Sequence, residues 1–402
     1  MLARPLEDIR GEFPGLTDAQ VALDGAAGTL VPAAVIDAVA DAMRFSMANV
    51  HGEFAASARS TETVASARRA VTDLVGGQPD GVVFGPNMTT LTFHLADALS
   101  SDWRPDDEVV VTSLDHDANV RPWIVAARRS GATIRWAEFD PDTGELSPEA
   151  FDAVVGENTR LVAVTAASNA IGTKPDVNAI SERAHAVGAL TYVDGVHATP
   201  HGPVDVAALG ADFYAFSTYK VFGPHIGAVV ATPALLERLR PPKLAPAPET
   251  VPDRFERGTP PFELLAGVSA AVDWLAGLSN VDGSRRRRIL AAFAAMEEHL
   301  QGLLRHALGG LAEIEGVRVL GAARRRTPTI SFLVEDRSPN EVAQRLATQG
   351  ISVWDGDNYA FELMRRFGLA QSGGAVRASI VVYNNASDID RFLEAVSDIA
   401  HR

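Results

Sequence analysis

The chain contains no cysteine and only three lysines, Lys174, Lys220 and Lys243, among 36 basic residues. The first absence removes disulfides, thiolate metal sites and a cysteine nucleophile, and it leaves cysteine usage silent about compartment. The second leaves arginine to carry nearly all the positive charge. Positive charge is itself scarce, because 51 acidic residues against those 36 give a formal charge of -15, a balance that repels nucleic-acid phosphates and anionic lipid. Long apolar runs are also missing: none has bilayer length, and residues 1–10 mix acids and arginines into their apolar positions, unlike a signal peptide. A cytoplasmic protein without nucleic-acid or membrane partners is the expectation.

What is present is ample for a large core: 402 residues, 47% of them hydrophobic, which fits one large domain plus a smaller one. Short runs rich in Val, Ala and Ile alternate with helical-length segments over 80–235, the mark of a mostly parallel sheet. Seven strands are expected at 82–84, 108–112, 133–138, 161–166, 190–194, 213–216 and 227–231, the last two too close for a crossover helix and so joined antiparallel. Helices are expected at 90–99, 120–129, 148–155 and 177–187. After a proline-rich stretch at 241–252, long helices at 262–278 and 285–308 precede strands at 317–320, 329–334, 351–354 and 376–382 and helices at 340–348 and 387–400. The texture gives an α/β chain whose domains divide as 1–30, a segment packing with the small domain, 31–255, the large domain, and 256–402, the small one.

In such sheets, sites collect at the carboxyl ends of the strands. Lys220 closes the apolar run from Asp212, and a desolvated amine there loses its proton readily and can form a Schiff base with an aldehyde such as pyridoxal phosphate. A coding preference for arginine explains the scarcity of lysine equally well. Phe84-Gly-Pro-Asn-Met-Thr-Thr90 turns from strand to helix, where free amides and the Thr89 hydroxyl suit a phosphate as well as an ordinary N-cap. Asp194 ends a strand and suits a pyridine nitrogen or a buried structural role. Asp115-His116-Asp117-Ala-Asn119 offers an imidazole for a ring face, and Ser168-Asn169 an amide for a ring hydroxyl; both also suit turns.

Together these motifs resemble the class V aminotransferase superfamily, specifically its cysteine desulfurase-like subgroup, over nearly the whole chain. The resemblance implies a fold-type I pyridoxal phosphate-dependent fold, with a seven-stranded, mostly parallel large domain and a smaller C-terminal α/β domain. It implies Lys220 as the Schiff-base residue in Ser217-Thr-Tyr-Lys-Val-Phe-Gly-Pro224, with Ser217, Tyr219, Met88 and Thr89 at the cofactor phosphate. Tyr219 stands where desulfurases usually carry histidine. Asp194 would pair the pyridinium, His116 stack on the ring, and Asn169 and His197 lie by the ring hydroxyl, His197 replacing a usual glutamine. Thr259 would reach the phosphate of a neighbouring subunit, implying a homodimer with shared sites, and Arg377 would grip a substrate α-carboxylate, with Tyr359 and Asn119 also facing substrate.

The departure concerns the loop 354–360, Trp354-Asp-Gly-Asp-Asn-Tyr-Ala360, where Tyr359 falls near the position of the desulfurase cysteine. Without a thiol the chain cannot relay sulfur as a persulfide. What the resemblance then implies is an enzyme acting on an amino acid through an external aldimine and an α-carbanion, with Lys220 as the base, and a lyase reaction by β-elimination or carbon–sulfur cleavage is the expectation. The alternatives are a class V aminotransferase, an isopenicillin N epimerase-like epimerase, commonly serving secondary metabolism, and a non-catalytic binding protein of the same fold. Arg121 and Arg257 suit either substrate selection or a solvated surface. Ser217-Thr-Tyr-Lys220 also fits S-x-x-K but lacks its companion motifs, and Pro200 disfavours His197 and His201 as helical metal ligands.

Overall fold

Runs of valine and alanine buried on both faces assemble the central sheet of the computed structural model, which describes residues 2–17 and 19–401. Met1, Asp18 and Arg402, parts of the expected terminal segments, lie outside the described residues. The strands in chain order are β1 (Val21–Ala22), β2 (Val82–Gly85), β3 (Glu108–Thr112), β4 (Thr133–Ala137), β5 (Thr159–Thr165), β6 (Leu190–Asp194), β7 (Phe213–Ser217), β8 (Gly227–Ala231), β9 (Val317–Leu320), β10 (Thr329–Val334), β11 (Ile351–Ser352) and β12 (Val376–Ser379). The seven-stranded sheet has the order β2-β8-β7-β6-β5-β3-β4. β8 runs antiparallel to both of its neighbours, and the other pairs are parallel. The carboxyl ends of β2, β3, β5, β6 and β7 therefore share one edge, and the site lies there.

Helices cover both faces. Their starts are capped by side chains that accept an orphan amide: Asn87 for Met88–Leu99, Asp176 for Val177–Ala186, Ser284 for Arg285–Glu313 and Ser338 for Pro339–Thr348. The expected helix at 148–155 is one 3-10 turn, Pro148–Phe151. The amides of Ala150 and Asp152 reach back only three residues, to the Ser147 and Glu149 carbonyls, which winds the segment as a 3-10 turn. The helix expected to end at 308 continues to Glu313 through Gly309 and Gly310. A Cβ on Gly310 would stand 2.3 Å from Leu393, so glycine is what lets the C-terminal helix, Ala386–His401, pack this closely.

The second layer is the antiparallel sheet β12-β10-β9. The strand expected at 376–382 stops at Ser379, because the Ile380 amide turns to the Pro328 carbonyl and the Asn384 side chain takes the Val381 amide and donates to the Ala22 carbonyl. The strand expected at 351–354 is also short: Ile351 and Ser352 pair in parallel with β1, after which Trp354 bridges Arg377 instead. The N-terminal segment is anchored to this layer by Arg10 on Asp388 and by Phe13, whose ring meets Tyr383 and Trp274 edge-on. The helix Phe262–Ala276 packs on Ala33–Phe45 and Ala55–Val75. No helix among the described residues is long and apolar enough to cross a membrane.

Candidate active site

The shared strand edge opens into a cavity of about 1080 Å³ whose lining includes the loop 354–360. Lys220 ends the single turn that follows β7, which places its side chain between the ends of β6 and β7. Its Nζ donates to the Ala26 carbonyl and lies 5.1 Å from the centre of the Tyr219 ring. Burial, reinforced by the charge of Arg377, pulls the amine down to about 7 against the opposing pull of Asp194. A large share of the lysine is therefore free amine at neutral pH.

Asp194, the last residue of β6, accepts the Val196 amide at 2.9 Å. Burial raises its carboxyl to about 6, with the Val196 amide and Lys220 opposing. Behind it Asp115 is enclosed, accepting from Asn119 Nδ2 at 2.6 Å and from the Thr112 hydroxyl. Burial pushes Asp115 up to about 8, the charge of Asp194 adds to this, and its hydrogen bonds oppose it. At neutral pH the pair thus holds one charge, on Asp194. His116 is held near 4 by burial and by Lys220 and Arg377, so it is a neutral ring; its Nδ1 accepts the Ala118 amide at 3.0 Å.

Asn87 caps the helix Met88–Leu99 through the Thr90 amide at 2.8 Å, and Ser217 Oγ accepts the Met88 amide at 2.9 Å, which leaves the serine proton free to donate. Thr89 is exposed beside them. Asn169 donates through Nδ2 to the Asn358 carbonyl at 2.8 Å, while its Oδ1 is buried with no partner among the described residues. Arg377, on β12, donates to the Asn169 carbonyl at 3.1 Å; burial lowers it to about 10 with Asp24 opposing, so it remains a guanidinium.

The loop 354–360 is fixed from several sides. Trp354 and Arg377 exchange backbone hydrogen bonds of 3.1 and 2.6 Å, and Gly356 bridges Gly374. Gly374 has φ +74°, and a Cβ there would meet the Gly356 carbonyl oxygen at 2.0 Å, so no other residue fits. Across the mouth, Arg121 binds Asp117 at 2.7 Å and Glu362 at 3.2 Å, joining the loop after β3 to the segment after Tyr359.

All the expected site residues line the cavity except Asn119 and Thr259. Asn119 cannot face substrate: it is fully buried, its Nδ2 is spent on Asp115 and its Oδ1 on the Trp123 indole at 3.1 Å. Thr259 is exposed, away from this chain's cavity, and Arg257 lies on the surface against His94 at 3.0 Å. His197 reaches the cavity, but its Nε2 is turned away toward the hydroxyls of Thr327 and Thr329 at 3.0 and 2.9 Å. Its ring meets His201 edge-on at 4.9 Å, and no cluster of three or more metal-ligating side chains occurs among the described residues. Lining residues that the sequence did not single out include Ala26 and Phe93, and Trp354, whose role the sequence left open, is the cross-strand neighbour of Arg377. The one sequence signal for the first was the small-residue run Asp24-Gly-Ala-Ala-Gly28.

A seven-stranded sheet with a strand-end lysine, a carboxylate on the adjacent strand and an open helix N-terminus defines a fold-type I pyridoxal phosphate-dependent enzyme. The family model for class V aminotransferases matches residues 21–392, and the chain belongs to that family. It is 34% identical over 99% of its length to the whole of an uncharacterized protein from Mycobacterium tuberculosis (strain CDC 1551). It is likewise 34% identical to a probable cysteine desulfurase from Streptomyces coelicolor, covering 98% of this chain and 96% of that one. Among solved structures it superposes on the cysteine desulfurase CsdA of Escherichia coli with TM-score 0.86 and 29% identity, covering 99% of both chains. The apo cysteine desulfurase of Thermococcus onnurineus gives TM-score 0.91 and 27% identity over the full length of both.

The residues present fit pyridoxal phosphate. An unpaired buried amide oxygen, a free serine proton, a charged carboxylate and a half-neutral lysine face one cavity, and each corresponds to a polar group of that cofactor.

Proposed function

We propose that this enzyme is a cysteine desulfurase-like lyase that removes a β-substituent from an amino acid without passing sulfur through a persulfide. The observation that carries the reading is Lys220, a buried amine pulled down to about 7 between Asp194 and Arg377 in a chain that has no cysteine. Bound pyridoxal phosphate supplies an electron sink for the substrate α-carbon. Lys220 would hold the cofactor through Nζ, and the same amine is the base that would take the α proton. Asp194 keeps its charge toward the pyridine nitrogen, and neutral His116 covers one ring face. Met88, Thr89, Ser217 and Tyr219 bind the phosphate, joined by the partner subunit's Thr259 in a homodimer, which accounts for an exposed threonine outside the cavity of its own chain. Asn169, whose Oδ1 is unpartnered, would accept from the ring hydroxyl, His197 would line the cavity beside it with its Nε2 held by Thr327 and Thr329, Arg377 would grip the α-carboxylate and Tyr359 would face the substrate side chain.

Purified holoenzyme is expected to release pyruvate and ammonium from β-chloroalanine, with neither product from Lys220→Ala. Conversion of the bound cofactor to its pyridoxamine form, reversed by a keto acid, would replace elimination by transamination. Exchange of the α proton with solvent deuterium and no product would replace it by epimerisation.

A further inference from the structure

Trp354 and Arg377 form a directly opposed antiparallel pair, so their side chains leave the sheet on the same face about 5.5 Å apart at Cα. A carboxylate held by Arg377 would therefore lie on the indole's side of the strand pair, in the cavity that Tyr359 also lines. Both rings are open to solvent, 51% and 73% exposed, as is Phe93 at 38%, which lines the same cavity. Exposed aromatic rings converging on a cavity mouth are a contact surface in search of a ligand. They are prebuilt, because the Gly356 and Gly374 bridge, the Asn169 bond to Asn358 and the Arg121 bond to Glu362 fix the loop that carries two of them. The ionic side chains at this rim beyond Arg121, which is occupied by Asp117 and Glu362, are Asp355 and Asp357, and they oppose an anionic side chain.

We propose that this mouth selects S-aryl cysteines, and that the enzyme cleaves their Cβ–S bond; the proposal rests on the elimination reading above. The α proton passes to Lys220 Nζ and the Cβ–S electron pair leaves on sulfur as an aryl thiolate. Delocalisation into the ring lets that thiolate leave without an acid, which suits a rim holding carboxylates and no thiol. The aminoacrylate released takes up water, so one S-aryl cysteine and one water yield one aryl thiol, one pyruvate and one ammonium.

The test compares S-phenyl-L-cysteine, S-methyl-L-cysteine and β-chloro-L-alanine as substrates of the holoenzyme, and L-phenylalanine against L-alanine as non-eliminating ligands by calorimetry. The kcat/KM of the S-phenyl compound is expected to exceed that of the S-methyl compound by about 100-fold, and phenylalanine to bind about tenfold tighter than alanine. In Trp354→Ala, and in Trp354→Leu should the first fail to fold, the S-phenyl preference is expected to fall about tenfold. Equal handling of S-phenyl and S-methyl cysteine, or equal binding of phenylalanine and alanine, overturns aromatic selection even while β-chloroalanine is consumed. Absence of pyruvate from all three substrates overturns the elimination reading and this proposal with it.

Discussion

Tyr359 lies against His116 with ring centroids 5.5 Å apart and planes 14° from parallel, while its carbonyl accepts the Asp117 amide at 2.7 Å. The loop that carries Tyr359 is thus seated on the one imidazole that faces the cavity from the end of β3. Because His116 is held near 4, its imidazole enters the stack as a neutral ring at neutral pH.

On the proposed reading, stacking rather than proton transfer is what His116 would contribute to the cofactor. Replacing it with phenylalanine should keep cofactor affinity within a few-fold, and alanine should weaken it about tenfold. Fluorescence titration of the apoprotein with pyridoxal phosphate measures both, and equal losses for the two variants would assign His116 a hydrogen-bonding role instead.

Burying Lys220 costs stability, and the cost has a definite pH dependence. Its folded value near 7 lies below the ordinary 10.5, so the unfolded chain binds the extra proton between these values and stability rises with pH across that window. Lys220→Met should abolish the visible absorbance of the holoenzyme and lower turnover by about 1000-fold or more. The same variant should stabilise the apoprotein at pH 7 by on the order of 1–2 kcal/mol, an advantage that fades toward pH 10. Denaturant melts at both pH values decide this, and a destabilised variant at pH 7 would refute the account.

His201 gives a slope of the same sign in a lower window. Both its ring nitrogens are buried without partners among the described residues, and burial, with the charge of Lys174 adding, takes it down to about 3. Below pH 6.5 the unfolded chain takes up a proton that the folded chain refuses, so stability falls as pH falls from 6.5 toward 3. His201→Leu should resist acid by roughly 2 kcal/mol at pH 5 relative to its effect at pH 8. Paired denaturant curves at the two pH values check it.

Arg377 is the test of carboxylate binding. Lysine at this position keeps the charge but loses the planar fork, and kcat/KM should fall about 100-fold with most of the loss in KM. An unchanged KM would place the substrate carboxylate elsewhere.

The strands at 108–112, 190–194 and 227–231 follow from the sequence residue for residue, because short runs of β-branched, aromatic and small apolar residues bounded by turn residues admit one element type and nearly one length. Composition and motif order also placed Lys220, Asp194 and His116 at strand ends. Asn119 shows where such reasoning fails, since an amide in a promising motif spent both its ends on Asp115 and Trp123. His197 turned its Nε2 to two threonines 130 and 132 residues away, which no local pattern records.

The amino-acid sequence by itself determined the periodicities that set helix and strand, the lack of a cysteine side chain and the residue types at the sheet's edge. Tertiary structure alone decided which of those side chains are free to act. Desolvation of Lys220, the pairing of Trp354 with Arg377 and the seat of Tyr359 on His116 all arise from contacts between segments far apart in the chain, where burial and charge, not local spacing, fix each proton and each hydrogen bond.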